Sequence, residues 1–128
     1  MATKKIQLSI LSVVLAAATF VGVPLNGGDK GWLYVNDAFR SFIVGNFRNE
    51  NACALIIQIL LVVSSVALYL MPILVFVINN RKLTFYVPLI YLLLTFLYFP
   101  HLIILCVPFI FIWGGLLLFV RINKNELQ

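Results

Sequence analysis

Residues 52–78 read ACALIIQILLVVSSVALYLMPILVFVI, a run of 27 positions without an Asp, Glu, Lys or Arg. An α-helix rises about 1.5 Å per residue and the hydrocarbon core of a bilayer is about 30 Å thick, so about 20 apolar residues cross it. This run is longer than that and is expected to tilt, bend or protrude. Pro72 supplies a place to bend, because it has no N–H to donate and its ring crowds the carbonyl of Leu68.

Three further runs, Ile6 to Leu25, Leu83 to Phe99 and Leu102 to Val120, are equally free of charge. Together they predict an all-α membrane protein, a single domain over 1–128. Its four transmembrane helices span about 6–25, 52–78, 83–99 and 102–120 in an up-down-up-down bundle, with an outer loop over 26–51. Composition agrees: the chain is 63% hydrophobic and 10% charged with mean hydropathy +1.10, far from globular usage, where about a quarter of residues are charged. A β-barrel would alternate apolar and polar positions. Leu60 to Val63 and Leu102 to Leu105 are apolar on both parities, which excludes it.

The net charge of +5 is explained by its placement. Lys4 and Lys5 precede the first run, Arg81 and Lys82 lie between the second and third, and Arg121 and Lys124 follow the fourth. The 26–51 connection instead balances Lys30, Arg40 and Arg48 against Asp29, Asp37 and Glu50. Cytoplasmic loops carry the excess of Lys and Arg, so both termini and the Asn79–Lys82 turn are expected in the cytoplasm, in a plasma membrane or bacterial inner membrane. A nucleic-acid surface would gather its cations on one face, and none is expected here. A rival reading of the first run is a signal peptide, with Lys4 and Lys5 as basic head and Ala16, Ala17 and Ala18 as cleavage site. The apolar run continues past those alanines, which favours a span.

Small residues mark where membrane helices approach closely, since lipid does not drive them together hydrophobically. Ala16, Ala17, Ala18 and Gly22, then Ser64, Ser65 and Ala67, then Gly114 and Gly115 are such positions. Phe99, Pro100 and His101 read as a tight outer hairpin between two helices that Pro88 and Pro108 bend.

The connection is the most informative polar segment. Asn26 to Gly31 is turn chemistry. Trp32, Val35, Phe39, Phe42 and Ile43 then recur at helical spacing, with Asn36 or Asp37 as cap, Gly45 as terminator and Asp37 to Arg40 as an (i, i+3) charge pair. A short amphipathic helix on the outer surface is expected, with Trp32 and Tyr34 at headgroup level. Trp32, Tyr34, Asp37, Phe39, Arg40 and Phe42 form the candidate interaction surface. Gln58, Ser64 and Ser65 are the candidate interhelical polar contacts, with Thr19, Ser12 or Ser9 as partners for Gln58 by depth.

Catalytic chemistry has little material. His101 is the only histidine, which excludes bis-histidine haem and His-rich metal sites within one chain. Cys53 and Cys106 differ in expected depth, which disfavours a bridge. Ser64 and Ser65 lie mid-run with no acid or histidine at their level. No catalytic centre, cofactor or metal is expected. No span carries the carboxylate of a proton-coupled exporter or the polar stripe of a channel. The expectation is therefore an accessory or regulatory subunit of a larger membrane assembly, with membrane lipid and a membrane-protein partner or a second copy around it. Its alternatives are an immunity or exclusion protein against a membrane-active toxin or phage, and a facilitator of lipid or amphipathic small-molecule movement.

Overall fold

The computed structural model describes residues 2–24, 32–45, 51–78 and 80–127. The turn read at Asn26 to Gly31 and Asn79 of the basic turn lie outside them. The described chain is mostly helical. Five α-helices run over Ala2–Ala17 (α1), Asp37–Val44 (α2), Ala52–Ile78 (α3), Leu83–Tyr98 (α4) and Val107–Ile122 (α5). Two strands, Gly22–Pro24 (β1) and Trp32–Tyr34 (β2), form an antiparallel hairpin with Val23 opposite Leu33. Two helical stretches are long and apolar enough to cross a membrane, Ala2–Phe20 and Ala52–Ile78; α4 and α5 have 16 residues each.

The first run departs from the expected helix over 6–25. After α1 the chain tightens into a 3-10 turn over Ala18–Phe20, and the hairpin begins at Gly22. Thr19 directs its hydroxyl to the carbonyl of Ala16 at 2.7 Å, a local bond that competes with the helical ladder. Beyond it, Val21, Val23 and Pro24 favour extended backbone. Val21 accepts the N–H of Val35 at 2.9 Å and so continues the hairpin. Trp32 and Val35 therefore precede the short helix instead of lying on its stripe. Gly22 sits against the Tyr34 ring: a Cβ there would lie 2.7 Å from Tyr34 Cδ1 and 3.1 Å from the Leu33 carbonyl. Gly45 ends α2 in the left-handed region at φ 81°, its N–H capping the carbonyls of Ser41 and Phe42, as a glycine does without steric cost.

The fourth run departs too. Residues Pro100–Ile104 form a 3-10 turn and α5 starts only at Val107. Pro108 then falls in the first helical turn, where a missing N–H costs nothing and no bend results. Pro88 lies inside α4 and deprives the carbonyl of Thr84, four residues earlier, of its helical donor. The indole Nε1 of Trp113 on α5 donates to that carbonyl at 3.0 Å. The proline makes an acceptor, and the neighbouring helix uses it.

This staple yields a testable expectation. Trp113→Phe should destabilise the fold by about 1 kcal/mol, and Pro88→Ala should reduce that loss by returning the carbonyl to its own helix. A double-mutant cycle measured by unfolding in detergent checks this; strict additivity would contradict it.

α3 packs against α1 and α4, and α1 also against α5. Ser9 of α1 donates to the carbonyl of Pro72 at 3.1 Å, and Lys4 Nζ lies 5.8 Å from the centre of the Phe119 ring. The start of α1 and the last turns of α3 and α5 therefore share one end of the assembly. The core joins Leu8 and Leu15 of α1, Leu61, Leu68, Met71 and Val75 of α3, Tyr91 of α4, and Phe109 and Leu116 of α5. Polar residues are buried with them: Ser12, Thr19, Gln58, Ser64, Ser65, Thr84 and Thr95.

Candidate functional site

Around Tyr69 of α3 side-chain hydrogen bonds tie the 3-10 turn after α1 and the residue before α2 to α3. Side chains on a helix lean toward its N-terminus, so the Tyr69 hydroxyl reaches back toward Ser65, one turn earlier. Asn36, the residue before α2, enters between them. Its Nδ2 donates to Ser65 Oγ at 2.9 Å and to the Tyr69 hydroxyl at 2.7 Å. Thr19 Oγ1 lies 2.9 Å from the same hydroxyl.

The protons in this cluster can be assigned from its geometry. The Thr19 proton goes to the Ala16 carbonyl, so Tyr69 donates to Thr19 and accepts from Asn36. Ser65 accepts from Asn36 and donates to the Leu61 carbonyl at 2.7 Å, a shorter bond than its 3.3 Å approach to Asn36 Oδ1. Both amide hydrogens of Asn36 are thus committed, and its side chain makes no helix cap. Rings enclose the cluster: Phe20 stacks on Tyr69 at 5.6 Å and Phe39 meets it edge-on at 5.1 Å.

Beside the cluster lies a cleft of about 270 Å³ lined by Thr19, Phe20, Tyr34, Asn36, Phe39, Arg40 and Ile43. The Arg40 guanidinium stands 4.3 Å from the centre of the Tyr34 ring, a cation–π contact. Asp37 turns the other way, into a cavity of about 320 Å³ shared with Leu33, Ala54, Tyr98, Phe99 and Leu102. Asp37 and Arg40, read as an (i, i+3) pair, thus line different cavities on α2.

The six candidate surface residues are divided accordingly. Tyr34, Phe39 and Arg40 line the cleft, Asp37 lines the second cavity, and Phe42 is exposed. Trp32 is described through its backbone, paired with Pro24 in the hairpin. Of the three interhelical candidates, Ser65 bonds Asn36, while Ser64 returns its hydroxyl to the Leu61 carbonyl of its own helix at 2.9 Å. Gln58 is buried, and its Oε1 finds none of the expected partners: Ser9 bonds Pro72, Ser12 bonds Leu8, and Thr19 bonds Ala16 and Tyr69.

Tyr69 carries no local signal in the sequence, and Asn36 reads there only as a cap. An amide with a tyrosine and a serine one helical turn apart is a hydrogen-bond set, but nothing local says that residue 36 reaches residue 65. Cys53 and Cys106 are both free thiols. Among the described residues no group of three or more metal-ligating side chains converges. The cleft offers one cation, hydroxyls and aromatic walls, which suits binding. Comparison with protein-family models, curated proteins and solved structures returns no match.

Proposed function

We propose that the chain is a small polytopic integral membrane protein without a catalytic centre, an accessory or regulatory subunit of a larger membrane assembly. In this reading four helices cross the bilayer, and both termini and the basic turn are cytoplasmic. The observation that carries it is the inverted polarity of the helices. On α3, Gln58, Ser64 and Ser65 are buried, while Val63, Ile73 and Val77 are 60%, 62% and 72% exposed. Water would penalise so continuous an apolar exterior, whereas hydrocarbon accepts it.

The partner reading is supported by α5. Phe111, Gly114, Gly115 and Leu118 recur at helical spacing, and Phe111 and Leu118 point outward. A Cβ added to Gly114 or Gly115 would meet nothing within 4 Å. These glycines serve no close approach among the described residues, and a helix from another chain could seat there.

Purification of the tagged protein from its native membrane in mild detergent tests the proposal. A stoichiometric membrane-protein partner is expected, and a strictly solitary species would overturn it. Gly115→Leu is expected to release that partner while changing the stability of the isolated chain by no more than about 0.5 kcal/mol, as read by co-purification and thermal unfolding side by side.

A further inference from the structure

The cleft beside the Asn36 cluster has an occupant written into its chemistry. Among the described residues its lining holds one full charge, that of Arg40, and no carboxylate, because Asp37 lines the other cavity. The Asn36 amide hydrogens are spent on Ser65 and Tyr69, so they are not available to a ligand. The Thr19 proton goes to the Ala16 carbonyl, so the charge of a ligand falls to Arg40. Its planar fork of N–H donors matches a carboxylate or a phosphate, and a ring against one face does not consume those donors. The remaining wall, Phe20, Phe39 and Ile43, is apolar, and Phe20 and Ile43 are 61% and 67% exposed. At about 270 Å³ the space is just below the usual range for a ligand pocket, enough for a head group and part of a chain.

We propose that this cleft binds an anionic amphiphile, with its carboxylate or phosphate on Arg40 and its alkyl chain along Phe20, Phe39 and Ile43. Tyr34 positions the guanidinium from beneath. Gly22 lets the Tyr34 ring lie where it does, since a side chain there would displace it. The site uses only side chains of this chain, so it stands or falls independently of a partner subunit.

The experiment uses the full chain in phosphatidylcholine nanodiscs with oleate carrying a photoreactive diazirine in its tail. Mass spectrometry of the labelled peptides should place adducts on segments containing Phe20, Phe39 or Ile43. Arg40→Gln should lower that labelling by about tenfold, the equivalent of one charge-assisted hydrogen bond. Arg40→Lys, which keeps the charge but loses the planar fork and its stacking on Tyr34, should restore only part of it, and Ile43→Trp, which fills the cleft and leaves Arg40 in place, should also lower it. A monoolein probe with the same tail and no charge should label weakly throughout. Competition by added phosphatidylglycerol would identify a lipid phosphate as an occupant, and its absence would identify a free carboxylate; both uphold the proposal. Labelling unchanged by Arg40→Gln or by Ile43→Trp, or equal labelling by monoolein, would overturn it.

Discussion

Phe109→Ala is expected to lower the stability of the protein by about 3–5 kcal/mol, the range for removing a fully buried aromatic side chain. Phe109 is 0% exposed, its ring centre is 5.4 Å from that of Tyr91, and Tyr91 is itself 0% exposed. α5 meets α4 at this ring pair, at the Phe85–Trp113 ring pair and at the Trp113 bond to Thr84, so the cavity would open at the seam between the two helices. Unfolding in detergent measures the loss. Phe111, two residues on and 77% exposed, supplies the contrast: its replacement by alanine should stay within about 0.5 kcal/mol. Equal losses at the two positions would show that the helix is rotated from the orientation described.

Asn36→Leu should cost about 2 kcal/mol, since it removes two donors at once and leaves the Tyr69 and Ser65 oxygens without them. Leucine keeps the branching at Cγ but is larger than asparagine, so Asn36→Ala, which removes the same donors without overpacking, should show a comparable loss. Its consequence should be local. Asn36 is what holds the end of the hairpin and the start of α2 onto the middle of α3, so hydrogen exchange of Asp37–Val44 and of the Val35 N–H should accelerate. The Leu68 region should remain protected. Ser64→Ala, which removes only a bond within α3, should change neither readout. Unaltered exchange in α2 after Asn36→Leu would mean that packing of Ala38 and Phe39 alone holds the segment.

How much was legible depended on how local each cause is. Gly45 as terminator follows from a one-turn backbone rule and α2 ends there, whereas Asn36 or Asp37 is expected as a cap and Asn36 precedes the helix with no side-chain cap bond. The first and fourth runs each leave the α-helix at one end, because hydropathy counts apolar residues without asking their conformation. Val21, Val23 and Pro24 are as apolar as a span and still fold as a strand arm. Leu102 to Ile104 likewise fold as a 3-10 turn. A charge pair between Asp37 and Arg40 was a reasonable reading of spacing, yet three residues along a helix is also a turn of the face. The two side chains went to different cavities.

The sequence by itself determined that α3 is a long apolar helix, that its charges lie beyond its ends, and that Pro88 must strand the carbonyl of Thr84. Each of these is a property of neighbouring residues or of backbone chemistry. Only the tertiary structure decided that Trp113 takes that carbonyl and that Asn36 donates to Ser65 and Tyr69. An unsatisfied donor or acceptor announces that a partner is needed, but many residues could supply one. The choice among them is made when the helices pack and a single candidate falls within hydrogen-bonding distance.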